Sequence, residues 1–165
     1  MAQHLTLREV IDANRKALAE RRLGAFLFTR PVEEELSQLS EKPANRCLYD
    51  YGDGHGCAIG VALNPETIAE IHRRNHNPVN VGGLMRNGLI TCEDSEVIAI
   101  SRIQRAHDNW ARDPHGKLRD DICHFDLDGS MTVIAPVGTP LREAFEKLLD
   151  FYGSLIGGAH ETPSS

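Results

Sequence analysis

The stretch "ICHFDLDGSMTVIAPVGTPLREAFEKLLDFY", residues 122–152, predicts two kinds of secondary structure in direct succession. Two apolar runs flank Asp128-Gly129, a dipeptide that favours the backbone angles of a tight turn, and they therefore predict a β-hairpin. Thr139 is the predicted cap of a helix that starts at Pro140. The apolar residues of that helix recur on one stripe, namely Leu141, Phe145, Leu148, Leu149 and Tyr152. A hairpin followed by an amphipathic helix predicts an α+β fold.

Helices dominate the chain before this stretch. Thr6 and Glu9 form a capping box at the start of a helix that we expect to end at Gly24. The longest predicted helix spans residues 95–113, and its inner face reads Val97, Ile100, Ile103, His107 and Trp110. His107 therefore stands at a position where a leucine would be expected.

The predicted domain is a helix-rich α+β single domain with a short strand pair near residues 47–63 and a C-terminal β-hairpin followed by a helix. Residues 1–113 form the predicted main helical unit, which includes a cysteine- and glycine-rich turn. Residues 114–156 form the hairpin and the C-terminal helix packed on it. We expect the tail, residues 157–165, to be disordered.

Composition limits the classes of function. The chain has 165 residues, of which 41% are hydrophobic, and its formal net charge is −6. An acidic chain lacks the clustered Lys and Arg of a general phosphate-binding surface, so direct nucleic-acid binding is not expected. No apolar run reaches the ~18–20 residues of a membrane span, and the N-terminus lacks the pattern of a signal peptide. We therefore expect a cytoplasmic protein whose cysteines stay reduced.

The sharpest catalytic hypothesis pairs Cys57 with His107. A thiol nucleophile needs a lowered pKa, which a neighbouring imidazolium or a helix N-terminus supplies, and Asp108 or a residue from elsewhere in the chain would orient the imidazole. His124 is a rival base, because Asp126 lies two residues along on the same face of the predicted strand. The alternative interpretation is structural: Cys57 would be a small buried side chain and His107 a hydrogen-bonded core histidine, with His124 on the exposed side of the hairpin.

A zinc site is a further alternative. His55 and Cys57 stand two residues apart, and a tetrahedral set would need Cys47, Cys92 or Cys123 together with His107. No pair among these residues has the usual spacing of a structural zinc site. We therefore expect no metal and no cofactor.

Two short motifs lie in "CLYDYGDGHGCAIG", residues 47–60, and "RIQRAHDNW", residues 102–110. Together they resemble a group of small uncharacterised proteins encoded by phages and prophages, in which Cys-x-Tyr leads through a glycine turn into Cys-Ala-Ile-Gly and a later helix carries Gln-x-x-His-Asp. The matching positions are Cys47, Tyr49, Gly56, Cys57, Ala58, Ile59, Gly60, Gln104, His107 and Asp108. The resemblance covers about residues 43–113 and implies a role in host takeover or counter-defence, with no implied activity, fold or cofactor.

The leading expectation is a non-enzymatic accessory protein of the phage and prophage type that binds a host or defence protein. The acidic balance favours a basic partner, such as a nucleic-acid-handling protein. The runner-up is a cysteine-dependent hydrolase or acyltransferase that uses Cys57 with His107 or His124, and a structural zinc-binding protein is third. An exposed edge strand at residues 131–134 would offer a route to a homodimer.

Overall fold

The computed structural model describes residues 2–23, 56–74, 80–113 and 115–161. Within these ranges the chain forms five α-helices, one 3-10 helix and two small sheets. The elements in chain order are β1 (Gln3–His4), α1 (Leu7–Ala19), the 3-10 helix (Gly60–Ala62), α2 (Pro65–Arg74), α3 (Val81–Arg86), β2 (Ile90–Thr91), α4 (Asp94–Arg112), β3 (Ile122–Phe125), β4 (Met131–Ala135) and α5 (Leu141–Glu161).

The strand pair predicted near residues 47–63 lies partly outside the described residues, which resume at Gly56. Gly56 makes an isolated parallel bridge to Leu23. The chain then turns into the 3-10 helix instead of continuing as a strand. The N–H of Ala62 donates to the carbonyl of Ile59 at 2.9 Å, and the N–H of Leu63 donates to the carbonyl of Gly60 at 3.1 Å.

Helix α1 begins as its capping box predicts, because the Thr6 hydroxyl accepts from the Glu9 N–H at 3.1 Å. The predicted end at Gly24 is wrong, since the helix ends at Ala19. Arg21 takes the left-handed conformation there, with a φ of 57°. The N–H of Arg22 donates to Ala17 O and that of Arg21 donates to Leu18 O, which together form a Schellman motif without glycine.

The strands β3 and β4 form the predicted hairpin, with Phe125 opposite Met131 and Cys123 opposite Val133. The N–H of Asp126 donates to Ser130 O at 2.9 Å, which closes a loop of three residues. Gly129 is the last residue of that loop and has a φ of 87°, a conformation that favours glycine. The Asp-Gly signal therefore identified the turn correctly.

Helix α5 packs along α4 and α1 and contacts β4. Its predicted stripe is largely buried, and it joins one core with residues of the two other helices: Val10, Ile11, Ile100, Ile103, Trp110, Phe145, Leu148, Leu149 and Tyr152. The prediction of a helix-rich α+β single domain with a C-terminal hairpin and helix is confirmed. The helix continues past Gly157 to Glu161, further than the tail boundary predicted from the sequence. Adding a residue to a formed helix requires ordering only that residue, which favours the extension.

None of the described helices combines the length and the hydropathy needed to cross a bilayer. This agrees with the absence of a long apolar run in the sequence.

Candidate functional site

Cys57 lies inside the core, with none of its surface exposed. Its Sγ accepts a hydrogen bond from the Gly60 N–H at 3.4 Å. Its carbonyl accepts from the Val61 N–H at 3.1 Å. The turn before the 3-10 helix therefore directs this sulfur inward, against its own backbone, instead of presenting it to solvent.

Two side chains from different helices hold the peptide groups that follow Cys57. Asn14 of α1 donates its amide to Ala58 O at 2.8 Å, and Gln104 of α4 accepts from the Ile59 N–H at 2.9 Å. All four residues are buried. We call these two side chains the buried clamp. Buried backbone groups need such partners, so the clamp fixes the turn between α1 and α4.

The clamp continues along α4 to the predicted histidine and its acid. Gln104 donates its amide to Asp108 Oδ1 at 2.8 Å, and His107 Nδ1 lies 3.3 Å from the same oxygen. His107 is fully buried, with Trp110 and Phe145 at ring-centroid distances of 6.2 and 6.0 Å. Its Nε2 has no hydrogen-bond partner among the described residues. The environment of the imidazole is therefore largely that of an apolar core side chain.

Cys57 and His107 share the core but do not form a nucleophile–base pair in this geometry. In the described part of the chain no hydrogen bond links the Cys57 sulfur to either ring nitrogen of His107. A base activates a thiol through hydrogen-bond contact, and a substrate must reach the sulfur. Neither condition is met by the arrangement around Cys57.

His124 lies on the hairpin face that packs against α5. Its ring centroid is 5.0 Å from that of Phe151, and its Nε2 is 3.2 Å from Asp126 Oδ1. The histidine and aspartate thus meet as their spacing predicts. Asp126 also accepts from the Ser130 hydroxyl at 3.0 Å, so the pair belongs to the hairpin turn. Cys123 is next to His124 in β3, but successive strand residues face opposite sides of a sheet, so the Cys123 side chain points away from His124.

The remaining cysteines do not assemble a metal centre within the described ranges, where no group of three or more His, Cys, Asp or Glu is placed to hold an ion. Cys47 and His55 lie outside those ranges. Burial, with a smaller contribution from Glu96, raises the pKa of the Cys92 thiol. A raised pKa lowers the thiolate fraction near neutral pH, and with it the reactivity of Cys92.

The hairpin presents an apolar surface that extends beyond the edge strand predicted at residues 131–134. Phe125, Met131 and Val133 are 68%, 55% and 42% exposed and share the side of the hairpin turned away from α5. Leu127 at the tip and Val137 after β4 are also exposed. We call these five residues the outer face. Apolar residues occur on both faces of β3 and β4 in the sequence. Only one face of a two-stranded hairpin can pack on a helix, so the apolar residues of the other face are left exposed.

The carboxylates around the hairpin tip are exposed and ordered by local hydrogen bonds. The Ser130 N–H donates to Asp128 Oδ1 at 2.9 Å. This bond is the main reason why the pKa of Asp128 is lowered from its ordinary value. Asp128 therefore places negative charge at the end of the outer face near neutral pH.

Comparison of the chain with protein-family models, with curated proteins and with solved structures finds no match in any of the three. The resemblance of residues 43–113 to phage and prophage proteins therefore stays a prediction. A functional proposal for this chain depends on its own geometry and chemistry.

Proposed function

We propose that this chain is a non-enzymatic, cytoplasmic accessory protein of the phage and prophage type, and that it acts by binding another protein through the outer face of its C-terminal hairpin. The observation that supports this proposal is the exposure of four large apolar side chains on the hairpin, Phe125, Leu127, Met131 and Val133, and of Val137 shortly after β4. A contiguous apolar surface of several hundred Å² is typical of a protein-interaction site.

The chemistry of the outer face suggests what the partner offers. Its centre is apolar, and Asp126 and Asp128 border it at the tip. Interfaces often combine an apolar centre with a polar rim, and complementary charge speeds the encounter of the two surfaces. We therefore propose a partner with an apolar patch bordered by Lys or Arg, such as a basic host or defence protein that handles nucleic acid. Lys117 and Arg119 lie before β3, away from the acidic tip.

The enzyme alternative has less support. Cys57 is fully buried, and its sulfur is hydrogen-bonded to the Gly60 N–H instead of to a base. His124 faces α5 and is bonded to Asp126. No observation on these residues favours a nucleophilic reaction.

The test is affinity capture from a bacterial lysate with three forms of the chain: wild type, a Phe125→Ser/Met131→Ser variant and a matched control. The control is Ile98→Ser/Leu155→Ser, which removes exposed apolar side chains from α4 and α5 instead of the hairpin. We expect one or more proteins to be retained by wild type and control and reduced at least about tenfold with the hairpin variant, since hot-spot truncations cost more than ~1.4 kcal/mol.

A captured protein supports the proposal only if purified partner and purified chain then bind directly with the same dependence on the outer face. Equal retention by the hairpin variant and the control would contradict the assignment of the outer face. Absence of any specific protein in all captures would contradict the proposed function itself.

A further inference from the structure

The two edges of the hairpin differ in what covers them. On the β3 edge, Arg102 of α4 donates to the Cys123 carbonyl at 2.7 Å and to the Tyr152 hydroxyl at 3.1 Å. That edge is therefore occupied by a side chain of the same domain. On the β4 edge, no backbone hydrogen bond from the described residues outside the hairpin reaches Met131 or Val133.

The ladder identifies which backbone groups of β4 face outward. Asp126 and Ser130 form a hydrogen-bonded pair at the turn. Hydrogen-bonded and non-hydrogen-bonded pairs alternate in an antiparallel ladder. Phe125–Met131 and Cys123–Val133 are thus non-bonded pairs, and His124–Thr132 lies between them. The N–H and C=O of Met131 and Val133 point away from β3, just as the Cys123 carbonyl points outward to Arg102.

The exposed β4 edge also lacks the charged residues that usually protect an edge strand. From Gly129 to Leu141 the sequence "GSMTVIAPVGTPL" contains no charged residue, although the whole chain carries a net charge of −6. Natural edge strands are commonly blocked by a charge, a proline or a bulge. The proline of this segment, Pro136, and the irregularity near Ile122 both lie beyond the outward groups of Met131 and Val133.

We propose that β4 pairs with β4 of a second copy of this chain, in a symmetric antiparallel arrangement that makes one four-stranded sheet. A two-fold axis through Thr132 places Met131 of each copy opposite Val133 of the other. All the outward groups of both residues are then satisfied, by four backbone hydrogen bonds. In a two-fold symmetric contact the same segment of each copy lies against that segment of the other copy. An uncharged strand therefore pairs with a second copy without repulsion between like charges.

A second copy suits this edge better than a basic extended peptide does. A basic strand would find no carboxylate within β4 itself, and three carboxylates near its ends are engaged within the chain: Asp126 and Asp128 at the tip are hydrogen-bonded to His124 and Ser130, and Asp121 accepts from the Val137 N–H. In the symmetric sheet, Met131 also meets Val133 of the second copy on the apolar side. The two outer faces then lie side by side on the same side of the four-stranded sheet, while the contact between the copies is made by the strand backbones and the Met131–Val133 pairs.

The inference is independent of the proposed function, because it is tested on the purified chain alone. Sedimentation velocity and multi-angle light scattering should give twice the 18.3 kDa mass of one chain, with dissociation on dilution. Val133→Pro removes the outward N–H without removing a ladder hydrogen bond to β3, and this variant should be monomeric. Val133→Thr retains the N–H and a β-branched side chain, and this matched control should remain dimeric.

Amide hydrogen exchange provides a second readout at the strand itself. The Met131 and Val133 amides should be protected in the dimer, and their protection factors should fall at least about tenfold when dilution makes the chain monomeric. The Thr132 amide, which pairs with His124, should remain protected at both concentrations. Should Val133→Pro fail to fold, Val133→Lys tests the same edge by placing two like charges near the axis, and it should also be monomeric.

Three results would overturn the proposal. The first is a wild-type chain that stays monomeric up to roughly 100 μM, far above the micromolar range of a weak specific contact. The second is a dimer that persists in folded Val133→Pro or Val133→Lys. The third is a dimer in which the Met131 and Val133 amides exchange as fast as in the monomer.

Discussion

The peptide groups of Ala58 and Ile59 show most directly how single residues define this core. They follow Cys57 in a turn that is buried away from water, so their carbonyl and N–H depend on protein partners. Asn14 and Gln104 supply those partners from two different helices. Each clamp residue therefore stabilises a segment far from it in sequence.

Replacement of Gln104 tests the clamp. Gln104→Ala should lower the free energy of unfolding by about 1–3 kcal/mol, because the buried Ile59 N–H loses its acceptor. Urea denaturation followed by Trp110 fluorescence measures this change. Arg105→Ala is the neighbouring control on the exposed side of α4 and should change stability by no more than about 0.5 kcal/mol. Equal effects of the two substitutions would contradict a structural role for the Gln104 amide.

Alkylation of individual cysteines tests the environment of Cys57. In the native protein we expect Cys123 to react before Cys92, whose pKa is raised, and Cys57 to react only as the protein unfolds. Mass spectrometry with pH as the variable resolves each cysteine separately. Fast native alkylation of Cys57, with an apparent pKa well below ~8.5, would instead support a reactive thiolate.

At the scale of elements, the hairpin and α5 show that the effect of a glycine on stability depends on its backbone conformation. Gly129 closes the hairpin loop with a φ of 87°, which residues with a Cβ adopt only at a cost. Gly157 lies in α5 with a negative φ, and a Cβ there would meet no atom within 4 Å. One glycine is required by its turn, whereas the other weakens its helix.

The two glycines make a matched pair of substitutions. Gly129→Ala should destabilise the protein by about 1–2 kcal/mol, through the left-handed conformation alone, because open space surrounds the new methyl group. Gly157→Ala should stabilise it by up to about 0.5–1 kcal/mol, as expected for a helical site. Thermal and urea unfolding measure both. A Gly157→Ala variant that is no more stable than wild type would contradict a persistent helix at this residue in solution.

Across the whole molecule, the C-terminal helix links the hairpin to the N-terminal helices through one core. The Phe145 ring is fully buried, and its centroid lies 5.8 Å from that of Trp110 in α4. On the other side of α5, His124 packs against Phe151. The predicted division of the chain into a main unit, residues 1–113, and a C-terminal unit, residues 114–156, therefore raises the question of whether the two units unfold together.

Phe145→Ala tests that cooperativity. The substitution should lower the free energy of unfolding by about 3–5 kcal/mol, the range for removing a buried aromatic ring. If the chain unfolds as one unit, the loss measured at Trp110 should equal the loss of amide protection at Thr132 in the hairpin. A transition at Trp110 that shifts while the hairpin keeps its protection would indicate two separately folding units.

The sequence by itself determined the elements whose signals are local. The Thr6 capping box, the Asp-Gly turn and the apolar stripe of α5 depend on residues a few positions apart. They can therefore be identified from the sequence without knowledge of the fold. The end of α1 was mispredicted because Arg21 adopts a conformation usually reserved for glycine, and nearby hydrogen bonds to Ala17 and Leu18 stabilise it there.

Whether the candidate site residues are exposed and paired for catalysis or buried in the core depends on the tertiary structure. The order of cysteine, histidine and aspartate left two interpretations of Cys57 open, a nucleophile and a buried core residue, because burial depends on contacts from elements distant in the sequence. Only the packing of α1 and α4 against the turn revealed that its peptide groups are held by Asn14 and Gln104. Likewise, Arg102 covers the β3 edge by reaching across the fold, a contact that no local pattern encodes, whereas no backbone hydrogen bond from the described residues outside the hairpin reaches Met131 or Val133 on the β4 edge.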